Sequence, residues 1–292
     1  MKKKFKLFCF GFGQVAKYFT ENLIKNDFNF DLVTTNTRNT EIKKFKNKRY
    51  KSFFFKNNNF DKKLIKELIL SNKVLISIPP KKQKDVVLHN FNKIFKKNKF
   101  DWVTYLSATS VYGDKKGKWV NENTKTNPTS QRGTDRLKIE TNWIEFFKNF
   151  KLRVQIFRLS GIYSIENNVI NRLKEGTLKI IKKKNCFFSR IHVEDIAKIL
   201  TISLKKISPG QIFNISDNYP CPNQEIAKYA AGLAKVTMSK EINVKDTKSK
   251  MLVEFYKDSK KVDNKKMKNF FKYKLKYPTY KEGLRAIKNQ SV

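Results

Sequence analysis

The sequence predicts an α/β fold: an open, doubly wound parallel sheet with helices on both faces, joined to a smaller C-terminal lobe. Two observations support this prediction. Strand and helix patterns alternate over about the first hundred residues, which is typical of a parallel sheet. Glycines, prolines and hydroxyl residues stand where the predicted strands end, and ligands of such sheets bind at the carboxyl ends of the strands.

Each element of this alternation rests on a local pattern. Residues 5–10 are apolar except for one lysine and predict a buried first strand, after which Val15, Phe19 and Leu23 recur at helical spacing. Pro79 and Pro80 end a later buried strand sharply. The further predicted strands cover residues 31–35, 52–55, 73–78 and 102–106, and the further predicted helices cover residues 64–70 and 86–95.

The second half of the chain has a less regular pattern. We expect strands over residues 178–181, 187–191 and 211–215, and helices over residues 193–204 and 224–233. Thr279 and Glu282 form a capping-box pattern that opens a last helix. The lysine-rich residues 235–276 are expected to form solvated surface, with a mobile lid as the alternative. We place one domain at residues 1–160, completed by elements within 187–216, and a smaller substrate-binding lobe at residues 161–292.

The charge of the chain is high but evenly spread. Its 292 residues include 64 Lys and Arg against 25 Asp and Glu, a net charge of +39. Specific nucleic-acid-binding proteins usually concentrate their basic residues in a stripe, so we expect no specific nucleic-acid partner. No apolar run approaches the ~20 residues of a membrane helix, and no Cys/His cluster has zinc-ligand spacing. Without an export signal at the N-terminus, we expect a cytoplasmic protein with no membrane partner and no bound metal.

A glycine motif follows the first predicted strand directly. Gly11-Phe12-Gly13-Gln14-Val15-Ala16 has the pattern G-x-G-x-x-A and leads into the first predicted helix. In this order of elements the turn lets a pyrophosphate sit on the helix N-terminus. The motif therefore predicts a dinucleotide-binding, Rossmann-type sheet, with Gly11, Gly13, Gln14 and Val15 at the cofactor. The alternative is a tight turn without a ligand.

The end of the second predicted strand indicates which dinucleotide is bound. NAD sites usually place an acid there, but this chain has Thr37 and Arg38, and Asp31 lies at the start of the strand. Because lysine is the usual base of this chain, an arginine indicates a need for the planar guanidinium, which suits a 2′-phosphate. We therefore predict NADP, with NAD as the alternative. Ile78, Pro79 and Ser107 also lie at strand ends and are predicted to contact the cofactor.

Several further motifs, taken in order, resemble the extended short-chain dehydrogenase/reductase family, also called the NAD-dependent epimerase/dehydratase family. The resemblance extends over nearly the whole chain and implies a Rossmann-type domain, a substrate-binding lobe and, in many members, a homodimer. Besides the glycine turn, the motifs that carry it are Leu75–Pro80, Val111–Asp114, Arg158–Tyr163, Arg190–Ala197, Phe213–Asp217 and Tyr277–Leu284.

The catalytic positions implied by this resemblance are altered. The family uses a Ser or Thr at the position of Ala108, and a Tyr and a Lys where this chain has Arg132 and Arg136. A guanidinium keeps its proton, so Arg132 is expected to hold an anion or polarise a carbonyl. Arg136 is expected to hold the nicotinamide ribose; the alternative is a surface pair of arginines.

Other residues are weighed as proton donors for the missing family tyrosine. Tyr112 is the best one, because its motif lies beside the substrate in the family. His192 belongs to a motif that is mainly structural in the family, and we expect it to have a structural role.

Three functions remain open at this point. The first is an NADP-preferring oxidoreductase or epimerase-like enzyme with a non-standard active site and an unknown small-molecule substrate. The second is a non-catalytic NAD(P)-binding sensor or scaffold. The third is a polyanion-binding protein on an enzyme fold.

Overall fold

The structure is a computed structural model, and it describes residues 3–80, 84–238, 240–243, 246–247 and 249–290. The strands are β1 (Phe5–Phe10), β2 (Phe30–Asn36), β3 (Glu41–Phe45), β4 (Lys48–Lys56), β5 (Asn59–Phe60), β6 (Lys73–Ile76), β7 (Trp102–Ala108), β8 (Trp119–Val120), β9 (Val154–Leu159), β10 (Gly161–Tyr163), β11 (Ile180–Ile181), β12 (Arg190–His192), β13 (Ile212–Ile215), β14 (Glu241–Ile242) and β15 (Lys261–Val262). The helices are α1 (Gln14–Lys25), α2 (Lys63–Ile69), α3 (Val86–Lys97), α4 (Gln131–Phe150), α5 (Val169–Lys174), α6 (Val193–Ser203), α7 (Asn223–Ala234), α8 (Lys250–Lys257), α9 (Lys265–Phe271) and α10 (Tyr280–Gln290), and a 3₁₀ helix covers Thr109–Tyr112.

The central element is a nine-stranded sheet. Its strand order is β13-β9-β7-β6-β1-β2-β4-β3, and β5 pairs with β4. The pairs β1·β2, β1·β6, β2·β4 and β6·β7 are parallel. From β4 to β9 this order is that of a doubly wound dinucleotide-binding sheet, in which the chain reverses direction beside its first strand. The predicted fold class is confirmed.

The first strand and helix form for the reasons that the sequence suggests. All of β1 except Lys6 is buried, as expected for a strand covered on both faces. The buried residues of α1 recur at helical spacing and include Val15, Ala16, Phe19 and Leu23. The turn between these elements therefore has a fixed place at the carboxyl edge of the sheet.

The outer part of the sheet differs from the prediction. The sequence predicts one short strand at residues 52–55, whereas the structure has a hairpin in which β3 pairs antiparallel with the longer β4. In β3 half-buried residues alternate with exposed Ile42 and Lys44. A lysine-rich alternation of this kind is a weak strand signal, because lysine occurs throughout the chain.

The chain divides into two compact units. The first comprises Met1–Ser107, Asp135–Phe157 and Ile196–Ile212, and the second comprises Ala108–Thr134, Arg158–Asp195 and Phe213–Val292. The chain therefore passes between the units several times, whereas the sequence pattern placed a boundary after residue 160, with the first domain completed by elements within 187–216. The core of the first unit is rich in stacked and tilted aromatic pairs, such as Phe10 with Phe55 and Phe91.

The lysine-rich stretch 235–276 is structured where the structure describes it, so the prediction of a solvated surface is wrong. It contains α8, β15 and α9, and it buries Tyr256, Met267 and Phe271. Helices α8 and α9 are only eight and seven residues long, too short for a helical repeat of apolar residues to stand out in the sequence.

The last helix begins as predicted. The Thr279 backbone N–H and hydroxyl both donate to Glu282 Oε2, and the Lys281 N–H donates to Thr279 Oγ1. This arrangement satisfies amide donors that would otherwise lack a partner at the start of α10. None of the helices in the described part of the chain is both long and apolar enough to span a membrane.

Candidate functional site

The glycine turn between β1 and α1 is held by two hydroxyl side chains of neighbouring strands. The Gly11 N–H donates to Thr35 Oγ1 at 2.9 Å. Ser77 Oγ lies 3.0 Å from the Phe10 carbonyl oxygen and 3.1 Å from the Gly11 carbonyl oxygen. Gly11 has a φ of +83°, and a Cβ on it would lie 3.0 Å from Ser77 Oγ. A glycine is therefore required at this first position of the turn.

The fold itself does not require the second glycine of the turn. Gly13 is the N-cap of α1 with an extended backbone and no side-chain cap, and it is exposed. A Cβ added to Gly13 would have no atom within 4 Å, so the protein itself does not need the glycine there. Open space above a helix N-terminus suits an anion such as a pyrophosphate. Val15 is buried in the core, which leaves only its backbone to face such a ligand.

The end of β2 is organised by one amide side chain. Asn36 Oδ1 accepts from the backbone N–H groups of Arg38 and Asn39, and its Nδ2 donates to Ser52 Oγ at 2.8 Å. This turn leaves Thr37 and Arg38 exposed at the carboxyl edge of the sheet. Asp31, in contrast, lies near the amino end of β2 and pairs with Lys4 at 2.9 Å. Asp31 therefore lies at the start of the strand and not at its end, where an NAD site usually has its acid.

A narrow crevice, too small to hold a water molecule, lies beyond the end of β6 in the first unit. It is lined by Ile78, Pro79, Pro80, Asp85, Val86, Tyr105 and Ile139. Asp85 caps α3 by accepting from two backbone N–H groups, and its Oδ2 accepts from Trp143 Nε1 at 2.7 Å. Burial raises the pKa of Asp85, while these hydrogen bonds lower it. Asp85 is therefore a polar group in the lining of this crevice, and its hydrogen bonds fix its position.

Arg136 is placed at the end of β7. Its Nη1 donates to the Leu106 carbonyl oxygen at 3.0 Å, and the side chain is only partly buried. Burial raises the pKa of Tyr105, and the nearby Arg136 charge opposes that rise. Ser107 is buried, and its hydroxyl has no hydrogen-bond partner within the described part of the chain. A buried hydroxyl without a partner is available to hydrogen-bond a polar ligand.

Tyr112 lies in the second unit within a buried hydrogen-bond network. Its hydroxyl accepts from Arg158 Nη1 at 2.9 Å and donates to Asn214 Oδ1 at 2.8 Å. The Asn214 backbone N–H donates in turn to Glu122 Oε1. Burial raises the pKa of Tyr112, and the Arg158 charge opposes that rise. The hydroxyl is engaged on both sides, which favours a role in positioning; the catalytic role stays a prediction.

Removing the Tyr112 hydroxyl is expected to destabilise the protein. In a Tyr112→Phe variant Arg158 and Asn214 each lose a buried partner, which costs about 1–3 kcal/mol in the free energy of unfolding. Urea denaturation measures this loss. Tyr219→Phe is the control, because Tyr219 is exposed at the surface. Equal stability of the two variants would contradict the network.

The other predicted catalytic positions are distributed as follows. Arg132 and Arg136 both lie on α4, as expected, and Arg132 is exposed. Ala108 ends β7 and offers no hydroxyl. His192 is buried between the rings of Tyr163 and Tyr277, and its Nδ1 accepts from the Glu194 N–H. Burial lowers the pKa of His192 to about 4. These contacts fit the structural role expected of it.

Sequence reasoning missed Thr35, Asn36 and Ser77, which shape the cofactor edge. Their only signal is a hydroxyl or amide residue at the end of a predicted strand. Among the residues that the structure describes, no three His, Cys, Asp or Glu side chains are grouped closely enough to hold a metal ion.

A family model matches part of the chain. The model of the NAD dependent epimerase/dehydratase family matches residues 86–216. Among curated proteins, human dTDP-D-glucose 4,6-dehydratase is 23% identical over 143 residues. That match covers 46% of this chain and 41% of the human protein, less than half of each.

Solved structures resemble the whole chain. A protein of unknown function from Silicibacter pomeroyi is 29% identical, with a TM-score of 0.84 over 98% of this chain and 99% of that one. dTDP-glucose 4,6-dehydratase from Bacillus anthracis, in complex with NAD, is 16% identical, with a TM-score of 0.76 over 97% and 95%. UDP-glucuronic acid 4-epimerase from Bacillus cereus, in complex with NAD, is 18% identical, with a TM-score of 0.77 over 97% and 99%. At such low identity the latter two show the fold alone.

Proposed function

We propose that this chain, in which residues 86–216 match the model of the NAD dependent epimerase/dehydratase family, binds NADP(H) and acts as an oxidoreductase or epimerase-like enzyme on a small molecule. The observation that carries this proposal is the open glycine turn, with an exposed arginine after the next strand. Gly13 leaves free space at the N-terminus of α1, and Arg38 stands where NAD sites usually have an acid.

The first unit has suitable groups for each part of the dinucleotide. The α1 N-terminus beside Gly13 suits the pyrophosphate, because the helix dipole and the backbone N–H groups favour an anion there. Arg38 suits a 2′-phosphate through its guanidinium. Its position depends on Asn36, which accepts from the Arg38 backbone N–H at 2.8 Å.

The nicotinamide and its ribose would lie at the carboxyl ends of β6 and β7. Arg136, held by the Leu106 carbonyl oxygen, would hold the ribose hydroxyls in place of the lysine of the family. The buried Ser107 hydroxyl would gain a hydrogen-bond partner there. Ile78 and Pro79 would exclude water from that end of the site. The cofactor supplies hydride transfer when it is bound.

A second candidate function is a non-catalytic NAD(P)-binding sensor. One specific observation favours it: the proposed proton donor Tyr112 is fully buried, and its hydroxyl is already hydrogen-bonded to Arg158 and Asn214. Ala108 and Arg132 cannot replace it, because neither side chain gives up a proton near neutral pH. Absence of turnover for a protein that binds NADPH tightly would favour the sensor.

Fluorescence titration tests the cofactor preference. The wild-type protein is expected to bind NADPH at least about tenfold more tightly than NADH, since a guanidinium–phosphate contact is worth about 1.5–3 kcal/mol. Arg38→Gln is expected to remove this preference while leaving the affinity for NADH nearly unchanged. Arg153→Gln, the same substitution at an exposed residue just before β9, is the control. A preference that persists in Arg38→Gln contradicts the assignment of Arg38.

Further expectations concern partners and location. We propose a cytoplasmic homodimer without a specific nucleic-acid partner. The spread of basic charge supports only a nonspecific affinity for polyanions, which salt weakens steeply.

A further inference from the structure

A second concave surface lies at the opposite edge of the sheet from the glycine turn. This amino-edge cleft has a volume of about 260 Å³, and its charged lining residues are Lys6, Asp31, Lys48, Arg49, Lys51 and Glu67. Lys6, Asp31 and Lys48 lie at or next to the first residues of β1, β2 and β4. Parallel strands begin at one edge of a sheet, so the cleft opens at the amino edge.

Both acids of the amino-edge cleft are already paired. Glu67 Oε2 accepts from Lys6 Nζ at 2.7 Å, and Asp31 Oδ2 lies 2.9 Å from Lys4 Nζ. Their charges are therefore largely compensated before any ligand arrives. The remaining cations come from the first half of β4.

These remaining cations have few protein partners. Lys48 Nζ donates to a neutral group, the Phe30 carbonyl oxygen, at 2.5 Å. Lys51 lies over the Phe53 ring and contributes to lowering the pKa of Asp61. The Arg49 guanidinium has neither an ion pair nor a hydrogen bond to another described residue. The cleft therefore keeps a net positive charge after its own two acids are paired.

The residue type at position 49 also indicates a ligand. Arg49 is an arginine in a chain where lysine is the usual base. A guanidinium binds phosphate oxygens in a bidentate way that an ammonium group cannot reproduce. The cleft is concave but smaller than most drug-sized ligand pockets, which start near ~300 Å³. A compact ligand fits it better than a whole dinucleotide.

We propose that the amino-edge cleft binds a compact phosphorylated metabolite, with Arg49 as its main phosphate contact and Lys48 and Lys51 as supporting charges. This site is separate from the dinucleotide site. Asp31 at one end of β2 and Asn36 at the other are five residues apart, which corresponds to ~17 Å along a strand. The proposal therefore stands whether or not the dinucleotide site is occupied.

The test uses pyrophosphate and amide NMR spectra of the full chain, in about 150 mM salt to suppress diffuse attraction. Pyrophosphate is expected to shift the amide resonances of residues 48–51. Arg49→Gln is expected to weaken this binding about tenfold, the effect of losing one charge-assisted contact. Arg153→Gln, an exposed arginine beside the start of β9, is the matched control and is expected to bind like the wild type.

Three results would overturn the proposal. The first is that pyrophosphate does not shift the amide resonances of residues 48–51. The second is that Arg49→Gln binds pyrophosphate as tightly as Arg153→Gln does. The third is that a short single-stranded oligonucleotide shifts the same resonances at a lower concentration than pyrophosphate. The last result would assign the surface to a polynucleotide. If pyrophosphate shifts only the resonances of residues 11–16, it occupies only the glycine turn, and the proposal is contradicted as in the first result. Arg49 is exposed, so its variant is expected to fold, which the unchanged remainder of the spectrum verifies.

Discussion

A Gly13→Val variant is expected to lose at least about a hundredfold in affinity for NADPH, roughly 3 kcal/mol, and to remain as stable as the wild type. The fold tolerates the side chain because Gly13 has a φ of −79° and no atom lies within 4 Å of an added Cβ. The same side chain fills the space that the pyrophosphate needs at the start of α1. Titration with NADPH and thermal unfolding measure the two effects separately.

The matched control for this variant is Gly232→Val. Gly232 is exposed on α7, and an added Cβ there also has no atom within 4 Å. It should change neither stability nor NADPH affinity by much. If Gly13→Val binds NADPH as tightly as Gly232→Val, the glycine turn is not a pyrophosphate site.

The stability of the protein is expected to fall as pH rises from about 6.5 to about 8 because of Asp217; below about pH 6.5 the buried His192, whose folded pKa is about 4, opposes this effect. This residue is 1% exposed, and its Oδ2 has no hydrogen-bond partner in the described part of the chain. Burial raises the pKa of Asp217 to about 8, against the lowering effects of the Tyr219 backbone N–H and the Arg190 charge. The folded state therefore keeps a proton that the unfolded state releases near pH 4.

The sign and size of this pH effect follow from proton linkage. A raised pKa in the folded state contributes stability that is complete below the unfolded pKa and is lost as pH approaches the folded pKa. The slope is about 1.4 kcal/mol per pH unit. Asp217→Asn removes the titrating group and is expected to flatten the profile and raise stability at pH 8. Urea denaturation at several pH values measures this.

The control for Asp217 is Asp101→Asn, at an exposed aspartate. It should reproduce the wild-type profile. A wild-type protein whose stability is flat between pH 6.5 and 8, or an Asp217→Asn variant that keeps the wild-type slope in this range, would contradict the assignment of the buried proton to Asp217.

Local patterns were sufficient to predict the part of the fold that forms the cofactor edge. The apolar run of β1, the glycine turn and the helical spacing of α1 lie within the first 25 residues, and all three are seen in the structure. The β3–β4 hairpin was missed because lysines interrupt its apolar pattern. The helices α8 and α9 were missed because they are only eight and seven residues long, although they bury Tyr256 and Met267.

The side-chain contacts of the site lay beyond sequence reasoning because their partners are distant in the chain. Thr35 Oγ1 accepts from the Gly11 N–H, although the two residues are 24 positions apart in the chain. Ser77 Oγ donates to the Gly11 carbonyl oxygen across 66 positions. The Tyr112 hydroxyl donates to Asn214, which is 102 residues away in the chain. Because this partner is not visible in the local sequence, the sequence predicted a hydroxyl at the substrate, whereas the structure buries it. Strand ends were predictable, but which side chains meet there depends on the register of the sheet.

A crystal structure of the protein with NADPH tests the central claim most directly. The claim predicts the pyrophosphate beside Gly13 at the N-terminus of α1, the 2′-phosphate within hydrogen-bond distance of the Arg38 guanidinium, and a ribose hydroxyl on Arg136. NADPH bound away from Gly13 would contradict the claim, and so would crystals that take up no NADPH from a millimolar solution.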